Sequence, residues 1–137
     1  MLMSDALEFS RHFTRNELMC RCGCGQVAMD RGFMALLERV REIYGRPMVL
    51  TSAYRCIVHD EAIGRARGRA GAAVHTTGRA VDVLVYGGHA RRLIEIAGMV
   101  GMAGIGVAQR GEIGSRFLHL DNLEADGRHP RPWLWSY

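Results

Sequence analysis

The chain has 137 residues and a mass of 15.2 kDa, which fits one domain with one hydrophobic core and leaves no room for a second. Hydrophobic residues make up 48% and charged residues 23% of the sequence, a composition that excludes disordered and fibrous proteins. No apolar run approaches the roughly 20 residues that span a bilayer, so we expect no membrane insertion. Residues 1–11 lack a basic flank followed by an apolar stretch, so we expect no signal peptide.

The positive charge comes from one kind of residue. All 18 basic residues are arginines, and the formal net charge is +4 with a pI of about 9.2. This balance favours an anionic partner without choosing between nucleic acid and another acidic polymer. Arg65, Arg67 and Arg69 alternate in one segment, but no aromatic residues are interleaved with them and no DNA- or RNA-binding motif occurs. We therefore expect no nucleic-acid partner.

The hydrophobic periodicity predicts helices and strands in mixed order. In chain order, the pattern predicts helices over residues 12–18, 31–44, 59–63 and 90–100, strands over 48–52, 80–86, 105–108 and 117–121, and loops over 20–25 and 64–73. Thr14 and Glu17 have the spacing of a capping box, and Asp30 and Gly45 mark the two ends of the second helix. The mixture predicts an α+β fold, a single small domain over residues 1–137 with helices packed on a short antiparallel or mixed sheet.

The four cysteines fit neither of the usual cysteine frameworks. Cys20, Cys22, Cys24 and Cys56 are too few for the disulfide scaffold of a small secreted domain. The Cys-x-Cys-x-Cys spacing is a poor signature of a zinc finger, because structural zinc sites favour Cys-x-x-Cys spacing. We expect free thiols or one bridge, for which Cys24 and Cys56 are a candidate pair.

The second half of the chain holds residues with metal-ligand chemistry. Asp82 stands in an otherwise apolar strand, where a carboxylate is either solvent-facing or else paired, hydrogen-bonded or bound to a metal. Strand alternation puts His119 and Asp121 on one face of their strand. With His75, just before a turn at Gly78, these segments offer two imidazoles and a carboxylate, the pattern of a catalytic zinc with an open water position. Nothing local links the two segments, so ordinary structural roles stay open for these residues.

The residues around these positions carry a family resemblance. The motif His75-x-x-Gly78-x-Ala80-x-Asp82, followed by His119-x-Asp121, resembles the LAS-type zinc peptidases of the M15 family, in particular the small phage and bacterial branch that cleaves peptidoglycan. Residues 13–24, residues 50–56 (LTSAYRC) and the aromatic tail with Trp133 and Trp135 are also similar to that branch. The likeness covers residues 12–137 and implies a fold like that of the hedgehog and D,D-peptidase domains.

The resemblance implies a zinc site and an activity. It implies that His75, Asp82 and His119 bind one Zn2+ ion. It also implies that Arg55 lies in the cleft as a catalytic residue, where its guanidinium steadies an oxyanion or holds a substrate carboxylate. The implied activity is hydrolysis of peptide bonds in the stem peptides or crosslinks of bacterial peptidoglycan. Carboxypeptidase and endopeptidase action, and D,D and L,D bonds, all stay open.

Two positions depart from the family pattern. Ala73 stands where family members often have a serine, and Arg116 stands where several relatives have a glutamate as the general base. Because an arginine cannot accept a proton at working pH, the base must come from elsewhere. Asp121 is the first candidate, and its competing role is to accept a hydrogen bond from a ligand histidine. Weaker candidates are Glu112, His59 and Asp60. The arginines other than Arg55 and Arg116 are interpreted as background charge.

The location and an alternative function follow from these expectations. A chain without a signal peptide stays in the cytoplasm until it is released, or travels with a phage particle, and then acts on the cell wall. The alternative is a catalytically impaired module that keeps its zinc and binds the cell wall or forms part of a phage particle. Arg116 at the glutamate position motivates that alternative.

Overall fold

The computed structural model describes residues 6–69 and 73–137. The helices are α1 (Arg15–Leu18), α2 (Arg31–Tyr44), α3 (Ile57–Arg67) and α4 (Gly87–Val100), with short 3-10 turns at Val74–Thr77 and Ile113–Ser115. The strands are β1 (Ala6–Leu7), β2 (Met29–Asp30), β3 (Val49–Ser52), β4 (Ala80–Leu84), β5 (Gly104–Ala108), β6 (Phe117–Asp121) and β7 (Trp133–Ser136). The end of the predicted loop over 64–73, at positions 70–72, lies outside the described residues.

The strands form two sheets. β1 and β2 pair as a short antiparallel ribbon, and the other five strands form a sheet in the order β3-β4-β6-β5-β7. Neighbouring strands of the large sheet are antiparallel, except β5 and β7, which are parallel. The predicted α+β class and the mixed sheet are confirmed.

One face of the large sheet is buried together with α2 and α4. The core combines strand and helix residues: Val81, Val83, Leu118, Leu120, Phe33, Leu37, Val40, Leu93 and Ile96. Burying each large aliphatic side chain stabilises the fold by roughly 1.5–3 kcal/mol, so the strands are held in the register that buries their valines and leucines. Because side chains alternate along a strand, Asp82 and His119 lie on the opposite face.

The helix ends predicted from the sequence are confirmed. The Thr14 side chain accepts a hydrogen bond from the Glu17 N–H, and the Glu17 carboxylate accepts one from the Thr14 N–H, which completes the capping box of α1. At the start of α2 the Asp30 carboxylate accepts a hydrogen bond from the Phe33 N–H at 2.9 Å. Gly45 ends α2 with a φ of 72°, a left-handed conformation that favours glycine.

Helix α3 is longer than predicted. The prediction of a loop over 64–73 is wrong for residues 64–67, which belong to α3. Cys56 caps its start by accepting a hydrogen bond from the His59 N–H, and Gly68 ends it with a φ of 68°. The buried side chain of this helix is that of the charged Asp60. Because a hydrophobic pattern contains only apolar residues, the sequence shows only a weak helical periodicity here.

The remaining differences are small, except at the end of the chain. The other predicted helices and strands differ from the observed ones by at most three residues at either end. The two-residue strands β1 and β2 were not predicted, and neither was β7, which is formed by an aromatic tail that pairs in parallel with β5. No helix within residues 6–69 and 73–137 is long and apolar enough to cross a membrane.

Candidate metal centre

A row of residues crosses the outer face of the large sheet. The register places Ser52 of β3 beside Asp82 of β4, Asp82 beside His119 of β6, His119 beside Gly106 of β5, and Gly106 beside Trp135 of β7. Residues paired across strands point to the same face of a sheet. Asp82, His119 and Trp135 therefore line the floor of one cavity, which has a volume of about 500 Å³.

Gly106 makes room for the indole ring of Trp135. A Cβ atom at position 106 would lie 2.7 Å from the ring, closer than real Cβ atoms approach other atoms. The indole therefore lies over the strand and beside His119, with 5.2 Å between the ring centroids. The guanidinium carbon of Arg131 lies 5.2 Å from the indole centroid, a cation–π contact that holds the other side of the ring.

His75 reaches the row from the 3-10 turn immediately before β4. Its Nδ1 donates a hydrogen bond to the Ala53 carbonyl at 2.9 Å, which leaves Nε2 3.4 Å from Asp82 Oδ1. The turn closes at Gly78, which has a φ of 72° and packs so closely that a Cβ atom would overlap the Ala28 carbonyl oxygen. The backbone geometry thus requires the glycine of the His-x-x-Gly motif.

His75, Asp82 and His119 converge on one point. His75 Nε2 and His119 Nδ1 lie 3.4 and 3.2 Å from the same oxygen, Asp82 Oδ1, and one ligand atom from each residue lies within 4.8 Å of the others. Ligand atoms about 2.0–2.1 Å from a tetrahedral zinc ion are about 3.3 Å apart, so these separations fit. Two imidazoles and one carboxylate also suit the chemistry of a borderline divalent cation.

The ionisation of this set suits a cation. Burial of Asp82 favours the neutral acid, but hydrogen bonds to His119 and His75 outweigh burial and hold the pKa of Asp82 well below its usual range. Burial of His119 favours the neutral imidazole, but hydrogen bonds to Asp121 and Asp82 outweigh burial and raise the pKa of His119. The site therefore carries an ionised carboxylate at neutral pH, the form of aspartate that binds a divalent cation.

Asp121 holds His119 from behind. Its side chain is 0% exposed, and its Oδ2 accepts a hydrogen bond from His119 Nε2 at 2.6 Å. Arg131 donates to both Asp121 oxygens, at 3.0 and 2.8 Å, and the Leu123 N–H donates to Oδ1 at 3.1 Å. Burial favours the neutral acid, but His119 and Arg131 lower the pKa of Asp121 to about 2. This arrangement fixes the tautomer of His119 and leaves Nδ1 for a metal.

Arg55 is held at the cavity by Asp60. Arg55 Nη1 donates to Asp60 Oδ1 at 3.0 Å, and Nη2 donates to Ser52 Oγ at 3.4 Å. The other Asp60 oxygen accepts hydrogen bonds from Arg69 at 2.8 Å and from the Ala73 N–H at 3.1 Å. Burial favours the neutral acid, but the Ala73 N–H and the two arginines outweigh burial and lower the pKa of Asp60. The carboxylate therefore ties α3 to the segments that lead into Arg55 and His75.

We expect Asp60→Asn to destabilise the protein by about 3 kcal/mol at neutral pH, because it leaves the paired arginines without their buried counter-charge. Since the pKa of Asp60 is lowered by folding, this stabilisation is present above the unfolded-state pKa and is lost as pH falls through the folded-state pKa. Urea unfolding of both proteins at several pH values should show that the difference between their free energies of unfolding becomes smaller in acid. Glu61→Gln, at an exposed position of α3, is the control. Equal stabilities of wild type and Asp60→Asn at neutral pH would contradict the prediction.

The weaker base candidates do not line the cavity. Glu112, His59 and Asp60 are absent from the cavity lining. Arg116, at the expected glutamate position, is absent from it as well. Arg116 instead donates to the Gly111 carbonyl at 3.0 and 2.8 Å. The His59 ring lies 3.2 Å from the Cys20 sulfur, at a different place in the fold.

Sequence reasoning missed cavity residues of the C-terminal segment. His129, Arg131 and Tyr137 all line the cavity. The interpretation of Arg131 as background charge is wrong, because its guanidinium pairs with the buried Asp121. His129 Nδ1 lies 3.1 Å from both carboxylate oxygens of Asp126. The aromatic tail is the sequence signal that could have pointed to this segment.

Two buried histidines and one partly buried carboxylate at the floor of an open cavity form the kind of site that metal-dependent hydrolases use. A family model described as Peptidase M15 matches residues 11–121, which include all three residues of the set. The chain therefore belongs to the M15 peptidase family, whose members are typically metal-dependent hydrolases. No curated protein and no solved structure matches the chain significantly.

Proposed function

We propose that this peptidase depends on zinc and hydrolyses peptide bonds in the stem peptides or crosslinks of bacterial peptidoglycan. The observation that carries the proposal is the convergence of His75, Asp82 and His119 in a cavity rich in arginine. Imidazole and carboxylate ligands, with room beside them for water and substrate, are typical of catalytic zinc sites.

The cavity suits an anionic peptide. Five arginines line it: Arg55, Arg67, Arg69, Arg128 and Arg131. Stem peptides carry free carboxylates, and an arginine can hold a carboxylate through two parallel hydrogen bonds. A volume of about 500 Å³ admits a short peptide rather than a folded chain. The same basic cavity explains why the net positive charge does not require a nucleic-acid partner.

The chain's own residues orient the reacting groups. His75, Asp82 and His119 would hold the zinc ion, which would supply a Lewis acid and activate a water molecule for attack on the carbonyl carbon. The Ala53 carbonyl holds Nδ1 of His75, so Nε2 is presented to the metal. Asp121 holds Nε2 of His119, so Nδ1 is presented. Arg55 lines the cavity, where its guanidinium supports negative charge on the carbonyl oxygen or holds a substrate carboxylate.

The contacts of Asp121 favour a positioning role over that of general base. Its two oxygens already accept hydrogen bonds from His119, Arg131 and Leu123. A general base must reach the proton that it removes, and the Asp121 side chain is fully buried behind the histidine. A pKa of about 2 also makes this carboxylate a weak proton acceptor.

His129 is our candidate for proton transfer. Apart from the metal-binding set and a tyrosine, it is the described side chain lining the cavity that can accept a proton. Its Nδ1 lies within hydrogen-bond distance of the Asp126 carboxylate, so in the neutral imidazole Nδ1–H donates there and the lone pair is on Nε2. In this proposal Nε2 accepts the proton of the attacking water and returns it to the leaving amine.

Replacing His129 with glutamine is expected to lower kcat by about 100-fold, which is at the low end of what general acid–base catalysis contributes. Zinc content should not change, because His129 is outside the ligand set. Asp126→Asn should lower kcat in the same direction by a smaller factor, since the imidazole remains. Rates on a purified muropeptide and metal content by mass spectrometry measure both effects. An unchanged kcat, or a loss of zinc, in His129→Gln would refute this role.

The function is tested by hydrolysis of purified muropeptides of defined structure. The wild-type protein is stripped with a chelator, assayed, reloaded with zinc and assayed again, and the products are identified by mass spectrometry. We expect cleavage that disappears with the metal and returns with zinc. The product masses distinguish carboxypeptidase from endopeptidase action and identify the bond. Zinc-loaded protein that leaves every muropeptide intact would overturn the proposal.

A module that binds the cell wall without cleaving it is the second candidate. The observation that favours it is Arg116, which stands where relatives have a glutamate. Arg116 lies outside the cavity lining with its guanidinium on the Gly111 carbonyl, so it supplies no proton acceptor there. Retention of zinc-loaded protein on insoluble peptidoglycan, with no turnover of any muropeptide, would support this candidate.

The proposed substrate puts the site of action at the cell wall. We propose that the chain reaches the wall after release from the cytoplasm or as part of a phage particle. Fractionation of lysed and intact host cells, with detection of the chain by antibody, would distinguish these routes from retention in the cytoplasm.

A further inference from the structure

The four cysteines form a second cluster, which shares no residue with the candidate metal centre. We call Cys20, Cys22, Cys24 and Cys56 the thiol cluster. Their sulfur atoms all lie within 4.8 Å of one another, and all four cysteines are free. Two of them, Cys20 and Cys56, are buried, and the other two are exposed at the tip of the loop. Of the two alternatives that the sequence left open, the structure shows free thiols and no bridge between Cys24 and Cys56.

The spacing of the sulfurs fits a metal. A tetrahedral zinc ion with zinc–sulfur distances of about 2.3 Å places its sulfurs about 3.8 Å apart. The sulfurs of Cys20 and Cys22 are 3.5 Å apart, and those of Cys22 and Cys56 are 3.7 Å apart. Free thiols have no physical reason to gather four at a time, because they make only weak hydrogen bonds with one another.

Backbone N–H groups point at the sulfurs. The Cys56 N–H donates to the Cys20 sulfur at 3.3 Å, the Gln26 N–H donates to Cys24 at 3.4 Å, and the His59 N–H donates to Cys56 at 3.4 Å. The His59 ring nitrogen Nδ1 is 3.2 Å from the Cys20 sulfur. Such donors stabilise thiolates, the form of cysteine that binds metals.

We propose that the thiol cluster binds one Zn2+ ion in a structural site separate from the peptidase centre. Four protein ligands fill a tetrahedral coordination shell and leave no position for water or substrate, which is typical of structural rather than catalytic zinc. The ion takes up the four sulfurs as thiolates, and the thiol protons are released to solvent. The Cys-x-Cys-x-Cys spacing is unusual for zinc, but the fourth ligand from the start of α3 completes the set.

The position of the cluster suggests what the ion does. Cys56 directly follows Arg55 and caps α3, while the other three cysteines belong to the loop after α1. Hydrogen bonds already join these segments: the Tyr54 N–H donates to the Leu18 carbonyl at 3.0 Å, and Arg21 donates to the Leu50 carbonyl at 3.0 Å. Because its ligands come from both segments, zinc would add a further link between the N-terminal loop and the strand end that positions Arg55.

The experiment separates the two metal sites. A variant with both His75→Ala and His119→Ala is produced with zinc in the medium, and its metal content is measured after gel filtration. We expect about one zinc ion per chain, bound by the cluster. Adding Cys22→Ser and Cys24→Ser, at the two exposed ligands, should remove that ion. Gln26→Ser, an exposed change in the same loop, is the control and should keep it.

A second readout identifies the ligands. After exchange of zinc for cobalt, the double-histidine variant should show the strong near-ultraviolet absorption of thiolate-to-cobalt charge transfer, and the added serines should abolish it. A double-histidine variant without metal and without this absorption would overturn the proposal, as would disulfides detected by mass spectrometry in the freshly purified protein. Because activity is not measured, the result does not depend on the proposed peptidase function.

Discussion

Replacing His119 with alanine is expected to lower muropeptide hydrolysis by about 1,000-fold and to remove the metal ion from the peptidase centre. In the proposed site His119 supplies one of three ligand atoms, its Nδ1, while the buried Asp121 holds the other ring nitrogen, Nε2. Metal ions contribute several kcal/mol of charge stabilisation, and about 1.4 kcal/mol is a factor of ten in rate. Rates on a defined muropeptide and metal content on the same preparations measure the effect.

Two further variants make this result interpretable. His119→Gln keeps most of the side-chain volume and a donor toward Asp121, so it separates loss of a metal ligand from loss of packing. His89→Ala removes an exposed histidine of α4 and should change neither rate nor metal content. Full activity in His119→Ala, or an undiminished metal content, would contradict the assignment. If the thiol cluster also holds zinc, His119→Ala should lower the metal content by one ion per chain and leave the ion of the thiol cluster in place.

The strands of the large sheet other than β7 could be predicted from the alternation of residues along the sequence. β4 and β6 carry valines or leucines of the core at every second position, and burial of this set leaves one register. That alternation was enough to place Asp82 and His119 on the face away from the core. The order of the strands was not available from alternation, and it is the pairing of β4 with β6 that puts these two residues side by side.

The parts that escaped prediction depend on contacts between distant segments. Arg131 is one of many arginines in the sequence, and only the return of the chain along β5 brings it to Asp121. The thiol cluster likewise needs the start of α3 to meet a loop more than thirty residues earlier, and the local Cys-x-Cys-x-Cys spacing does not indicate that contact. Ionic and thiol contacts of this kind have no periodicity, and hydrophobic patterning cannot reveal them.

Replacing Asp121 with asparagine decides between the two roles left open by the sequence. If Asp121 orients His119, the zinc affinity of the peptidase centre should fall by about 10–100-fold, because the partner that fixes the tautomer loses its charge. If Asp121 were the general base, affinity would be unchanged and kcat at saturating zinc would fall. Competition with a chelator of known affinity measures the first quantity, and muropeptide turnover measures the second.

The same variant should also lose stability, because Arg131 is left buried beside a neutral partner. Removing one member of a buried ion pair costs about 3–5 kcal/mol, so unfolding is measured on the metal-free proteins first. Glu124→Gln, an exposed change three residues along the chain, is the matched control and should alter neither affinity nor stability. Weaker zinc binding together with near-normal kcat at saturating zinc supports the positioning role, because an orienting residue acts through the ligand that it holds. An unchanged zinc affinity with a large loss of kcat would show that Asp121, rather than His129, is the general base.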